Sequence, residues 1–149
     1  MIASVRRLRD DESGSILPLT IFFGALSLAL IVVVVAATSL YLERKRLYTV
    51  ADGAALAGAE AFDLDAVTVT PEGPRAELRP RDVAAAVDDY LADAGTGRLD
   101  EVVVERATTT DGRSATVELS ASWRPPVLTL VLPEGIRLEV TAVARSVLR

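Results

Sequence analysis

An uncharged run over residues 13–42 constrains this chain more than any other feature. It is closed by Asp11 and Glu12 on one side and by Glu43, Arg44, Lys45 and Arg46 on the other. From residue 19 it reads LTIFFGALSLALIVVVVAATSLYL, about 24 residues or roughly 36 Å of helix against a hydrocarbon core of about 30 Å. That is long enough to cross a bilayer with some tilt. About 14 of these residues are Leu, Ile, Val or Phe, and on the insertion scale they sum to on the order of −4 to −8 kcal/mol. The sum outweighs Thr20, Ser27, Thr38 and Ser39. A soluble fold would have to bury this helix on every side, and the remaining residues are too few to do so. The sequence therefore predicts a transmembrane helix over residues 15–42, preceded by a tail at 1–14.

Arg6, Arg7 and Arg9, followed by the small residues Ala36, Ala37 and Thr38, also outline a secretory signal. The apolar stretch is far longer than the roughly 7–15 residues of a signal core, however, and Asp10, Asp11 and Glu12 sit where such a core begins. The run reads as a retained anchor. Three Arg precede it and Arg44, Lys45 and Arg46 follow it, so charge alone does not orient it.

Composition removes several kinds of chemistry. The 149 residues contain no Cys and no His, which excludes disulfides, a thiol nucleophile, a thiolate zinc site and any imidazole base. The net charge is −5 overall. Residues 47–149 carry 10 Arg against 17 Asp and Glu, which argues against a nucleic-acid partner, since that would need a basic stripe. The only Lys is Lys45, beside the anchor, so a Ser–Lys pair is unpersuasive. The sequence predicts no enzyme, no cofactor and no metal.

Beyond the basic cluster the helical pattern continues. Leu47, Val50, Ala51, Ala54, Ala55, Gly58, Ala61 and Phe62 recur at the spacing of one helical face, and no Pro falls within residues 19–62. The reading is one helix of about 44 residues, roughly 66 Å long, with its first half in lipid and its second half, the Ala-rich extension 43–63, in water. The small face of Ala51, Ala54, Ala55 and Gly58 permits close approach of another backbone. It suits this chain's own sheet, and equally a neighbouring copy or a partner helix.

Residues 64–149 read as a small α+β domain. A β-prone stretch at 66–70 leads to a helix framed by Pro80 and Gly95, with Val83, Val87, Tyr90, Leu91 and Ala94 on one face. Asp82, Asp88, Asp89 and Asp93 occupy the solvated face. A strand at 102–109 runs into Asp111-Gly112, a type I′ hairpin signal. The return strand alternates Ala115, Val117, Leu119, Ala121 and Trp123 with Ser114, Thr116, Glu118, Ser120 and Ser122. A last strand places Ile136, Leu138, Val140, Ala142 and Ala144 on one face. Strands with a single apolar face need a cover, and the Ala-rich half of the long helix is the available one. The expected architecture is a single-pass transmembrane helix continuing into a helix packed on an antiparallel sheet of three or four strands.

Between Pro126 and Pro133 lies VLTLVL. It reads as a buried strand or core turn, or else as an exposed loop in which Val127, Leu128, Leu130 and Leu132, helped by Trp123, dock a partner or the membrane surface. Gly95-Thr96-Gly97-Arg98 follows a helix and precedes a strand, the reverse of a phosphate cradle, and reads as a helix cap and loop. Asp88, Asp89, Asp93, Asp100 and Glu101 lack the alternating ligands and turn Gly of a calcium loop.

Residues 6–62 as an ordered set resemble the TadE/TadG-like family of tight-adherence (Flp) pilus-assembly proteins. The resemblance rests on RRLRDDESGSILPL, the apolar helix, the exit YLERKRL, the segment ADGAALAGAEAF and the closing VTAVAR. It implies a pilin-like minor component or assembly factor of a pilus or secretion apparatus in the plasma membrane, N-terminus inside and C-terminal domain outside. The implied partners are membrane lipid, other membrane proteins of the apparatus, and further copies meeting through the long helix. Prepilin-type processing would fall between Gly14 and Ser15. Leu19 stands at the fifth mature position, where the pilin pattern has an acid, and Pro18 precedes it. That departure favours a membrane-resident assembly protein over a shaft subunit. The alternative is a membrane-anchored extracytoplasmic binding module unrelated to pili.

Overall fold

The expected long helix exists and begins earlier than the apolar pattern suggests. In the computed structural model, which describes residues 13–63, 65, 67–71, 73–75, 77–97, 99–125 and 135–146, helix α1 spans Ser13–Glu60. Pro18 is therefore its sixth residue, past the first turn, and its missing N–H leaves the Gly14 carbonyl without an i+4 donor. The chain divides into two compact units, Met1–Thr38 and Ser39–Arg149. The division falls inside α1, ahead of the charged cluster that marks the hydropathy boundary.

In the first unit the described side chains from Ile16 to Ile31 are all exposed. In the second unit α1 turns one face inward. Leu47, Ala51, Ala54 and Ala55 are fully buried, and Gly58 and Ala59 are buried beside them. Tyr48 and Leu56, on the opposite face, are exposed. The helix closes with the Ala61 N–H donating to the Gly58 carbonyl at 3.4 Å.

After a short hairpin of β1 (Thr68–Thr70) and β2 (Gly73–Arg75), helix α2 covers Pro80–Ala94. Pro80 supplies a preset φ at its first position, and Gly95 leaves the helix at φ +59. Val83 and Val87 are fully buried, Tyr90 and Leu91 pack at the margin, and Ala94, expected on the same face, is exposed at the last helical position. Strands β3 (Asp100–Thr109), β4 (Ser114–Trp123) and β5 (Ile136–Arg145) form one antiparallel sheet in the order β3-β4-β5. The β1–β2 pair is a separate two-stranded sheet, so the 66–70 stretch adds no fourth strand.

In β4 the apolar face is as expected, with Ala115, Val117, Leu119, Ala121 and Trp123 all buried, but the other face is not open to water: Ser120 is buried and Ser114, Thr116, Glu118 and Ser122 are half-buried. In β5, Val140, Ala142 and Ala144 are buried, but Ile136 is 41% exposed at the strand's first position, opposite Trp123 at the end of β4. Strand β3 carries two bulges, between Asp100 and Val103 and between Val104 and Arg106. Val104 and Ala107 are both core-packed yet three residues apart. A regular strand would put them on opposite faces, so the extra residue Glu105 is needed to return both inward.

The β3–β4 turn differs from the type I′ expectation. Asp111 does not take the positive φ that a type I′ turn requires, and residues 110–113 form a wider loop. The Asp111 carboxylate instead accepts the N–H groups of Arg113 at 2.9 Å and Ser114 at 2.7 Å, plus the Ser114 hydroxyl at 3.0 Å, while Gly112 takes φ +65. The Gly112 carbonyl then accepts the Leu78 N–H at 2.9 Å, tying the turn to the lead-in of α2.

Two predictions follow from this packing. Leu47→Ala or Leu119→Ala, each emptying a fully buried site, should lower unfolding free energy by about 2–5 kcal/mol in denaturant titrations of the detergent-solubilised chain. Hydrogen bonds from the Arg113 and Ser114 N–H groups hold the Asp111 carboxyl at about 2, below its ordinary 3.8. A depressed folded pKa stabilises above the unfolded value and is lost as pH falls through the folded one. Stability should therefore fall between about pH 4 and pH 2, and Asp111→Asn should flatten that part of the pH profile.

Candidate membrane anchor and assembly face

The anchor is built from residues that carry no polar demand on their surroundings. The apolar part of α1 is the one helix among the described residues long and apolar enough to cross a membrane, and its most apolar stretch has no residue buried. A helix of that composition with no protein cover is matched to lipid. Its hydroxyls satisfy themselves within the helix. Thr20 donates to the Ile16 carbonyl at 2.9 Å, Ser27 to Phe23 at 2.8 Å and Thr38 to Val34 at 2.8 Å. Phe22 and Phe23 stack edge to face with centroids 5.7 Å apart. The Gly14–Ser15 peptide lies in the first turn of α1.

The small-residue face of α1 is occupied within the chain. A Cβ placed on Gly58 would sit 3.0 Å from Val83 Cγ1 and 3.2 Å from Ala115 Cβ. The helix backbone thus approaches both α2 and β4 closely. Tyr90 lies against Gly53, where an added Cβ would overlap its hydroxyl and come within 2.7 Å of Cζ. Ala51, Ala54 and Ala55 belong to the same core as Val83, Val87, Val117 and Leu119. Of the two partners the sequence leaves open for this face, its own sheet and second helix fill it.

Trp123 is also turned inward. It is buried, and its indole N–H donates to the Ser39 hydroxyl at 3.2 Å. Ser39 is the first residue of the second unit, so one long-range bond fixes the far end of β4 to the start of the packed part of α1. Val127, Leu128, Leu130 and Leu132 lie outside the described residues. Thr96 and Gly97 line a cavity of about 390 Å³ with Leu99, Arg46, Thr49 and Val50. Arg46 pairs with Glu43 one turn earlier at 3.1 Å.

Sequence reading missed a polar network on the open face of the sheet. The bulge residue Glu105 accepts the Ser120 hydroxyl at 2.6 Å and pairs with Arg137, which also reaches Glu139 at 3.2 Å. Arg106 pairs with Glu118 at 3.3 Å. At the other bulge Glu101 takes φ +54, accepts the Ser122 hydroxyl at 2.9 Å and stands 3.9 Å from Arg124. The signal was present: the apolar period of two breaks between Val104 and Ala107, where only a bulge restores it. Among the described residues no three acidic groups converge as metal ligands would.

A comparison with known families finds a similarity confined to the helix. Residues 14–61 match the Tad model, Flp pilus-assembly TadE/G-like. The matched stretch is α1 to within one residue at either end. The chain thus carries a TadE/G-like segment, associated with Flp pilus assembly, that is at once the apolar anchor and the small-residue face. The α+β domain beyond it, with the closing VTAVAR, lies outside the match. No curated protein and no solved structure matches the chain significantly.

Close packing at Gly58 makes a sharp prediction. Gly58→Leu should destabilise the domain by about 1–3 kcal/mol or more, because the added side chain meets Val83 and Ala115 in a filled core. Leu56→Ala on the exposed face should change stability by no more than about 0.5 kcal/mol. Thermal unfolding of the two variants in the same detergent gives the comparison.

Proposed function

We propose that this chain is a non-enzymatic, membrane-anchored, pilin-like minor component or assembly factor of a TadE/TadG-type Flp pilus or secretion apparatus. The observation that carries the reading is the coincidence of the family match with α1: the family signature and the structural axis of the chain are the same residues. A role through contacts suits a chain with neither Cys nor His. The proposed placement is single-pass in the plasma membrane, N-terminus inside and the α+β domain outside, following the topology the family resemblance implies.

The geometry also supports a division of labour along α1. Ala51, Ala54, Ala55 and Gly58 are covered by their own domain, so contacts with partner helices of the apparatus fall to the largely exposed stretch at 16–38. The self-satisfied Thr20, Ser27 and Thr38 hydroxyls leave that stretch to associate by packing rather than by interhelical hydrogen bonds. Leu19 in place of an acid favours a permanent membrane component over a shaft subunit. If Gly14–Ser15 is cut, the peptidase must first unwind the opening turn of α1. A binding-module role draws support from the cavity lined by Arg46, Thr49, Val50, Thr96, Gly97 and Leu99.

The deciding experiment deletes the apparatus in the native host. On this reading the protein's abundance falls several-fold and its membrane complexes disappear. Unchanged abundance, location and complexes would favour the binding module.

A further inference from the structure

One end of the three-stranded sheet reaches the apolar run. Residues 39–42 close that run and belong to the second unit. Near its start β4 meets α1 at Gly58, whose added Cβ would stand 3.2 Å from Ala115 Cβ. At its end the Trp123 indole N–H donates to the Ser39 hydroxyl at 3.2 Å. From Ala115 to Trp123 the strand extends about 27 Å, and from Gly58 back to Ser39 the helix extends about 28 Å. The two elements therefore run side by side in opposite directions, and β4 ends level with Ser39. That level lies about 6 Å ahead of Glu43, the first charge after the run.

Ile136 opens β5 opposite Trp123 and is 41% exposed. An apolar side chain is thus left open at the depth where α1 is itself apolar. Of the residues joining the two strand ends, 126–134 read PVLTLVLPE, with Glu134 the only charge among them. The neighbouring guanidinium groups turn back along the sheet. Arg137 pairs with Glu105 and Glu139, and Arg124 stands 3.9 Å from Glu101. These acids lie level with Ser120 and Ser122, on the Ala115 side of Trp123. Long Arg stems let the charges sit there while the strand end itself stays apolar.

We propose that this end of the sheet, at Trp123 and Ile136, is seated in the lipid surface, so that the second unit is held to the bilayer by β4 and β5 as well as by α1. The occupant is lipid because the surface is continuous with the last turn of the anchor: Trp123 is bonded to that turn and Ile136 stands beside Trp123. The inference rests on α1 as the anchor and not on the pilus reading.

The absence of Cys and the single Trp make the test direct. A nitroxide is placed on Ile136→Cys of the full-length chain in nanodiscs of phosphatidylcholine and phosphatidylglycerol. Its accessibility to oxygen, which concentrates in lipid, is compared with that to a water-soluble nickel chelate. Val143→Cys, farther along β5 and 61% exposed, is the aqueous reference, and Val34→Cys in the apolar run is the lipid reference. The oxygen-to-nickel ratio at 136 should be several-fold higher than at 143 and approach that at 34. In the unaltered chain, lipids brominated near the headgroup end of their acyl chains should quench Trp123 emission. An aqueous label at 136 with a lipid-facing 34 would overturn the seating and leave the anchor standing, whereas aqueous labels at both would remove the anchor and the seating together. A label at 136 shielded from both reagents would mean that a protein covers this end, and would overturn the proposal, as would Trp123 emission indifferent to the brominated lipids.

Discussion

Close approach between the backbone of α1 and the side chains of α2 and β4 is the constraint on which the folded unit depends. The unit is small, and several of its core positions are Ala, which contribute little buried area each. Such a core compensates by bringing elements nearer together than bulky side chains would permit. Gly58 sits 3.0 Å, measured from its added Cβ, from Val83 and 3.2 Å from Ala115. Ala51, Ala54 and Ala55 extend the same thin seam along the helix, while the fully buried Leu47, Leu119, Val83 and Val87 supply the bulk of the core. Density rather than side-chain size holds the helix on the sheet.

One helix thereby carries two kinds of surface. Ahead of Ser39 it offers apolar side chains and closes the Thr20, Ser27 and Thr38 hydroxyls onto its own backbone. Beyond Ser39 the apolar positions narrow to one face, and Tyr48, Asp52 and Leu56 look outward. The packed unit starts before the charged cluster does, because Trp123 reaches Ser39 inside the apolar run. An indole can be buried there because its one polar N–H finds the Ser39 hydroxyl.

Periodicity made much of this legible in the sequence. The alternation from Ser114 to Trp123 defined β4 and its buried face, and Pro80 and Gly95 framed α2 correctly. Both signals are local. What escaped reading depends on partners distant in sequence or on geometry that periodicity does not encode. The bulge at Glu105 appears only as a skipped beat between Val104 and Ala107. Asp111-Gly112 carries a turn signal, but the side-chain bonds to Arg113 and Ser114 select a wider loop than type I′. Ile136 belongs to the apolar face of its strand by position, yet the end of the sheet leaves it open. The small face of α1 was visible as a surface for close packing, while its occupant required knowledge of where Val83 and Ala115 lie.

The central claim is that α1 passes from a helix largely exposed on all sides ahead of Ser39 to a helix buried on one face beyond it. Single Cys substitutions along residues 30–59 of the full-length protein in lipid nanodiscs, each read by reaction with a water-soluble thiol reagent, test it directly. The account predicts uniformly low reactivity before residue 39 and then a helical period, with positions 47, 51, 54 and 55 protected and 48, 52 and 56 reactive. Equal reactivity around the helix beyond residue 43 would contradict it.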